Sequence, residues 1–177
     1  MPTTIVKTIG AANANSYVDT TDGDAYFDDR LDAAKWTGAS TSDKQRALLM
    51  AAKHLQFENW LGDRVTVTQA LAWPRIGVAK VDGISGGYGM GYYGWGYGYP
   101  FDVYLTTEIP QPVKDAQCEL ALDFLAGVPP SGVLPSVDSF SLDGLNVKLT
   151  DPQTVTQPSR AQRLIAALVV GNRLVRG

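Results

Sequence analysis

Apolar residues recur with helical spacing in the first third of the chain. Leu48, Ala51, Ala52, Leu55 and Asn59 stand at positions i, i+3, i+4, i+7 and i+11, so one mostly apolar stripe would face a core. The stripe follows a serine and threonine cluster that suits a helix start, and a glycine at position 62 suits a helix stop. The pattern predicts a helix over residues 42–60.

A second apolar stripe lies in the middle of the chain. Val113, Ala116, Leu120 and Phe124 share one face of a segment that opens with prolines at positions 110 and 112 and precedes Gly127. Proline is tolerated in the first turn of a helix and glycine is frequent just past its end. This segment therefore predicts a helix that runs to residue 125.

Weaker patterns predict the remaining elements. Thr20 or Thr21 is suited to cap a helix, and the aspartates that follow suit its N-terminal end, so a helix is predicted over residues 22–31. The dipeptide Asp143–Gly144 between alternating residues predicts a β-hairpin in SFSLDGLNVKLTD. IVKTI near the start is read as a short strand or arm, RVTVTQ as a short strand and LAWPR as a turn. A last helix is predicted over residues 158–176, with one face made of Ala161, Leu164, Ile165, Leu168 and Asn172.

These elements predict a mainly α fold. We expect a small helical bundle with a β-hairpin excursion, a long Gly/Tyr-rich loop and an extended C-terminal helix. The organisation would be a helical domain at 1–127 with a loop insertion at 76–108, a linker and hairpin at 128–157, and a detachable C-terminal helix at 158–177.

Composition narrows the class of protein. The 177 residues are 45% apolar and 19% charged, which is typical of one globular domain. The net charge of −3 gives no general attraction to nucleic acid or anionic membrane. A single cysteine excludes an internal disulfide framework and fits a reducing place of synthesis. No apolar run approaches the roughly 20 residues of a membrane span, and the N-terminus lacks a secretory pattern, so we expect a soluble protein.

The charge is distributed unevenly. Residues 19–32 hold six aspartates against Arg30, whereas residues 158–177 hold four arginines and no acid. Two interpretations stay open at this stage. The acidic front and the basic tail would pair between copies in a ring, or each would be a solvated face.

The inventory of reactive side chains predicts no enzyme, metal site or cofactor site. His54 and Cys118 are the only residues of their types, so a four-ligand Cys/His metal site is excluded. The chain has no nucleophile elbow, phosphate-binding loop or dinucleotide fingerprint. The aspartates of residues 19–32 lack the glutamate of a calcium loop. We read His54 as a partly buried structural residue and Cys118 as a small residue near a helix interface.

Residues 86–99, GGYGMGYYGWGYGY, are half glycine and rich in aromatic side chains. Single-stranded nucleic acid stacks on aromatics but needs cations alongside. Residues 76–108 contain one cation, Lys80, and three carboxylates, Asp82, Asp102 and Glu108. The net negative charge weakens the interpretation as a nucleic-acid-binding loop. Aromatic anchors also suit a protein interface, and a fold back onto the same domain is a further alternative. The candidate partner-binding residues of this loop are Tyr88, Tyr92, Tyr93, Trp95, Tyr97 and Tyr99.

Several motifs carry a family resemblance over about residues 13–127. They are NANSYVDTTDGDAYFDDR, Trp36, the W-x-G-x-R of residues 60–64, TQALAWPRIGV and EIPQPVKDAQCELALDFLAG. In this order they resemble head-to-tail connector (adaptor) proteins of tailed bacteriophages. The same group often carries the label of DnaT-like single-stranded-DNA-binding protein. The resemblance does not account for the aromatic composition of residues 86–99.

The resemblance implies a structural protein of the virion neck, made in the host cytoplasm. It implies a homo-oligomeric ring, of twelve copies by analogy, that docks on the portal protein and joins it to a tail or nozzle protein. DNA would pass through the channel without being read by sequence. The loop aromatics would face the tail side, and the C-terminal helix would insert into the portal through Arg160, Arg163, Leu164, Leu168, Arg173 and Arg176. The alternative function is single-stranded DNA binding.

Overall fold

The computed structural model describes residues 4–80, 103–128 and 159–170, and the backbone of two strands at 139–142 and 145–148. The helices are α1 Thr20–Phe27, α2 Ala34–Thr37, α3 Thr41–Leu55, α4 Gln111–Ala126 and α5 Arg160–Ile165. The strands are β1 Asp63–Arg64, β2 Arg75–Ile76, β3 Ser139–Leu142 and β4 Leu145–Lys148. The prediction of a mainly α fold with a small hairpin is confirmed.

Helix α3 carries the predicted apolar stripe but is shorter than expected. Leu48, Ala51, Ala52 and Leu55 are all fully buried. The prediction that the helix runs to Trp60 is wrong, because the chain tightens into turns after Leu55. The indole Nε1 of Trp60 donates to the Leu55 carbonyl at 2.8 Å and so satisfies one of the acceptors at the helix end.

Helix α4 is the central element, and its predicted boundaries are confirmed. It starts after Pro110 and ends at Gly127, whose φ of 70° is the left-handed conformation that glycine adopts at low cost. The helix contacts α1, α2, α3 and α5. Gln117 is completely buried on it and bonds to Ser16 Oγ, the Leu48 carbonyl and the Tyr17 backbone N–H. This one amide ties the N-terminal arm to both long helices.

Helix α1 begins and ends earlier than the predicted range of 22–31. Asp19, rather than a threonine, is the N-cap and forms a reciprocal capping box with Asp22. The helix ends at Phe27, whose ring lies 5.0 Å from that of Trp36 in α2. Both rings are buried, so this pair closes one end of the core.

The strand predictions are confirmed only in part. The described residues of IVKTI form an extended arm and no strand, held by the Val6 N–H bond to Asn15 Oδ1 at 2.7 Å. Within RVTVTQ only Arg64 enters a strand, since β1 pairs with β2 over two residues. The hairpin is confirmed by the antiparallel pairing of β3 with β4, while its turn dipeptide lies outside the described residues.

The C-terminal helix is shorter than predicted. Helix α5 ends at Ile165, and the chain then turns through a bond from the Leu168 N–H to the Ile165 carbonyl. Val169 next forms an antiparallel bridge with Trp60. The expectation of a helix through residue 170 is therefore wrong, because backbone pairing with residues 59–61 replaces the helical bonds. Residues 171–177 lie outside the described part.

Candidate interaction surfaces

The long insertion leaves and re-enters the body at one point. Ala79 and Val103 form an antiparallel bridge, and the Tyr104 N–H donates to the Val78 carbonyl at 3.0 Å. Val78 is 1% exposed, so this stem is rooted in the core. Lys80 Nζ lies 5.8 Å from the centre of the Tyr104 ring. The body thus fixes both ends of the insertion side by side.

An aromatic stack supports the stem. The Trp73 ring meets Trp60 at 5.8 Å and Tyr104 at 5.9 Å, both edge-to-face, which is a favoured aromatic geometry. Trp73 is 1% exposed, so it belongs to the core. The Trp73–Pro74 peptide bond is cis, a feature that the sequence motif did not reveal.

Arg75 stabilises the turn that contains Trp73 and Pro74. Its guanidinium donates to the carbonyls of Trp60, Leu61, Gly62 and Ala72. The hydrogen-bond partners of Arg75 are therefore backbone carbonyls. A planar guanidinium presents several donors in a fixed fork, which explains why one side chain can serve several carbonyls.

The predicted tail-side residues cannot be located. Tyr88, Tyr92, Tyr93, Trp95, Tyr97 and Tyr99 all lie outside the described residues. Their role, and the alternative that the loop folds back on its own domain, stay predictions. What the described residues add is the stem, in which the bridge of Ala79 with Val103 lies next to Tyr104.

The predicted portal-side residues divide into buried, exposed and undescribed ones. Leu168 is completely buried and Leu164 is partly buried against the core. Arg160 and Arg163 are at the surface, and Arg173 and Arg176 lie outside the described residues. The segment over residues 159–170 is therefore packed on its own body in this structure rather than detached. The proposed portal contacts of the arginines stay predictions.

The acidic front pairs with cations of the same chain. Lys7 contacts both Asp19 and Asp22 at 2.7 and 2.8 Å, and Lys44 contacts Asp24 at 2.7 Å. These pairs were in neither of the two interpretations of the charge distribution. The Lys44 ammonium lowers the pKa of Asp24.

Asp32 joins the acidic front to the basic tail within one chain. It forms ion pairs with Arg160 of α5 and with Arg30 after α1. The hydrogen bond from Arg160, followed by that from Arg30, lowers the pKa of the Asp32 carboxyl. Both Asp32 and Arg160 are largely exposed, so this pair orients the segment more than it stabilises it.

A buried carboxylate, that of Glu119, shares Arg30 with Asp32 as an ion-pair partner. Glu119 on α4 is 5% exposed, forms an ion pair with Arg30, and accepts a 2.6 Å hydrogen bond from Tyr26 Oη. Burial, followed by the Glu119 contact, raises the pKa of Tyr26. Sequence reasoning missed this cluster. The available signal was a glutamate set among the apolar residues Cys118, Leu120, Ala121 and Leu122.

Few cations of the described residues remain for an anionic ligand. Ion pairs engage Lys7, Arg30, Lys44, Arg46, Lys80 and Arg160. In the same ranges Lys35, Lys53, Arg64 and Lys114 belong to α2, α3, β1 and α4. These four belong to separate elements, so none of these elements carries a run of unpaired basic residues.

The described residues also lack an aromatic platform for bases. Trp36, Trp60 and Trp73 are buried, and Tyr26 and Tyr104 are partly covered. Phe57 is the exposed aromatic residue of these ranges, at 88% exposure. A lone exposed ring does not provide the successive stacking surfaces that single strands use.

His54 and Cys118 both pack against other residues of the helical body. The His54 ring lies 6.3 Å from that of Phe124 with edge-to-face geometry. Cys118 is 2% exposed, and burial raises the pKa of its thiol to about 12. In the described ranges no group of three or more His, Cys, Asp or Glu residues is arranged to hold a metal ion. Nor does a helix of those ranges have the length and apolarity to cross a membrane.

Comparison with known proteins gives one family match. A family model described as "Putative DnaT-like ssDNA binding protein" matches residues 1–89, half of the chain. The matched range includes α1, α2, α3 and the Trp73–Arg75 turn. No curated protein and no solved structure matches the chain. The chain therefore belongs to the family of DnaT-like ssDNA binding proteins.

Proposed function

We propose that this protein is a structural head-to-tail adaptor of a tailed phage. It forms a ring beneath the portal, joins the portal to a tail or nozzle protein, and surrounds the DNA channel. The observation that carries the proposal is the pairing of the body's cations with its own carboxylates and carbonyls. A body built in this way suits contact with proteins and leaves fewer of its described cations to contact phosphates.

The insertion supports the same proposal. Its two ends are fixed together by the Ala79–Val103 bridge, and its sequence supplies tyrosine and tryptophan, the residues favoured as interface anchors. A rooted stem lets such a segment project from the body without disturbing the core. We assign the tail-side contact to this insertion and the portal-side contact to the C-terminal arginines.

The second candidate is single-stranded DNA binding, which the family description favours. In the described residues this function would lack successive aromatic stacking surfaces, and six of the basic side chains are already in ion pairs. It would then depend on the insertion, which carries Lys80 against Asp82, Asp102 and Glu108. Repulsion from these carboxylates makes it the weaker candidate.

One experiment separates the two candidates. Filter binding of a labelled oligonucleotide is measured at 50 and 200 mM salt, and the same sample is imaged by electron microscopy. The adaptor predicts rings and weak binding at both salt concentrations. Tight binding that falls steeply with salt, without rings, would establish the DNA function instead, because phosphate contacts release counterions.

The insertion is tested by removing residues 87–98. Because the stem residues lie outside this range, the shortened chain should keep its melting temperature and lose attachment to the tail-side protein. A control of unchanged chain length replaces the six aromatics of residues 86–99 with serine. Loss of attachment in both variants assigns the contact to the rings, whereas unfolding of both would place the insertion in the core.

The portal contact needs a shorter truncation than the whole helix. Removing residues 158–177 would also remove Ala161, Ile165 and Leu168 from the core, so loss of docking would be confounded with loss of stability. Ending the chain after Val170 removes Arg173 and Arg176 and spares these buried residues. We expect lost portal binding with an unchanged melting temperature. Unchanged portal binding would refute the role of the two arginines.

A further inference from the structure

The groove that holds residues 159–170 is formed entirely by the rest of the chain. Helix α5 packs on α4, and Ile165 and Leu168 are 1% and 0% exposed. Beyond α5, the Leu61 N–H donates to the Leu168 carbonyl at 2.9 Å, and the Val170 N–H donates to the Asn59 carbonyl at 2.7 Å. The groove thus recognises the segment by apolar side chains and by backbone pairing.

The segment carries its own folding signals. Ser159 Oγ accepts from the Gln162 N–H at 3.2 Å, and Gln162 Oε1 accepts from the Ser159 N–H at 3.1 Å. This capping box defines the start of α5 without help from the body. The contact at the rim is complementary in charge, since Arg160 pairs with Asp32. A segment of this kind fits the same groove on any copy of the chain.

The connection to the segment is long. Thirty residues, 129–158, separate Val128 from Ser159, and ten of them, 139–148, span the β3–β4 hairpin. The other twenty residues can reach at most about 66 Å at about 3.3 Å per residue. That is twice the roughly 30 Å diameter of a small domain. The groove of an adjacent copy is therefore within reach.

Release of the segment to a solvent-exposed position would expose Ala161, Ile165 and Leu168 together with their groove. Placing it in the groove of a second copy restores the same contacts, which is why exchange of identical elements is a low-cost route to assembly. We propose that in the assembled ring each groove holds residues 159–170 of a neighbouring copy. This proposal rests on the proposed ring, and it names the surface by which the ring closes.

The test uses Asn59→Cys and Val170→Cys in one full-length chain. Opposed residues of an antiparallel pair have Cα atoms about 4.5–5.5 Å apart, which is within the disulfide range of about 4.4–6.8 Å. Asn59 and Val170 are both exposed, and the native Cys118 is buried and does not compete. The variant is assembled, its size is measured by light scattering, and it is then oxidised and run on a denaturing gel without reductant.

Exchange predicts covalent multimers that collapse to a single chain on reduction. A matched control mixes chains that carry Asn59→Cys alone with chains that carry Val170→Cys alone. Exchange predicts a covalent dimer in the mixture and none in either variant by itself. Rings that yield only intrachain disulfides would overturn the exchange and leave the adaptor function intact. Failure to form rings, with the portal protein present, would count against the adaptor function itself and would remove the assembly on which the exchange rests.

Discussion

The packing of Leu168 gives the sharpest test of the fold. Leu168 is 0% exposed and lies between the end of α5 and the residue, Val169, that forms a bridge with Trp60. Leu168→Ala removes three carbon atoms. At about 0.8 kcal/mol for each buried CH₂, the transfer cost is about 2.4 kcal/mol. A residual cavity adds to this, and buried Leu→Ala changes generally cost about 2–5 kcal/mol. We expect a loss of about 3 kcal/mol in the free energy of unfolding.

The loss is measured by urea unfolding followed by circular dichroism. With a slope of about 2 kcal/mol per molar urea, the midpoint should fall by about 1.5 M. The matched control is Val170→Ala, two residues away in the same segment and 49% exposed. Its expected cost is below about 1 kcal/mol, because the removed atoms already contact water.

Equal urea midpoints for Leu168→Ala and Val170→Ala would contradict the burial of Leu168. That result would mean that residues 159–170 do not pack on the body in solution, and that the C-terminal segment is a free arm. The groove proposed as the site of exchange would then have no native occupant. An unchanged slope is also expected, because the substitution alters stability without altering the surface exposed on unfolding.

Three further variants test other contacts. Arg75→Ala should lower the free energy of unfolding in urea by about 2–4 kcal/mol, because it leaves carbonyls of residues 60–62 without their donor. Arg75→Lys should recover only part of this loss, because an ammonium group lacks the fork of donors of a guanidinium; full recovery would contradict the proposed geometry. Gly23→Ala should destabilise by about 1–3 kcal/mol, although alanine is the better helix former, because its Cβ would lie 2.5 Å from Trp36 Cζ2; a raised melting temperature would show that Trp36 yields. Cys118, whose pKa is raised to about 12 by burial, should not react with Ellman's reagent at pH 8 until guanidinium unfolds the chain, and rapid reaction of the native protein would show an open α4 face.

Local signals predicted the elements that depend on local interactions. The stripes of α3 and α4, the glycine that ends α4 and the turn dipeptide of the hairpin are all read within a few residues. Errors arose where distant residues decide. Helix α3 ends early because Trp60 bonds back to Leu55, and α5 ends early because Val169 pairs with Trp60.

The candidate surfaces were predictable to a smaller extent. The LAWPR motif predicts the turn, but the carbonyl partners of Arg75 at residues 60–62 and the ring contacts of Trp73 with Trp60 and Tyr104 depend on the fold. The pairing of Asp32 with Arg160 joins residues 128 positions apart, so only the fold could reveal it. The buried Glu119 cluster also requires α1 and α4 to be placed against each other. The sequence therefore indicates which residue types lie on the surfaces, and only the fold shows which of these residues pair with one another.

The central claim is that this chain works by binding proteins in the neck of a virion. A reconstruction of the portal and neck from phage particles that encode the chain tests it most directly. We expect a ring of this chain between the portal and the tail, with the C-terminal arginines on the portal side. Particles whose neck lacks the chain, together with tight and salt-sensitive binding of the purified protein to single-stranded oligonucleotide, would contradict it.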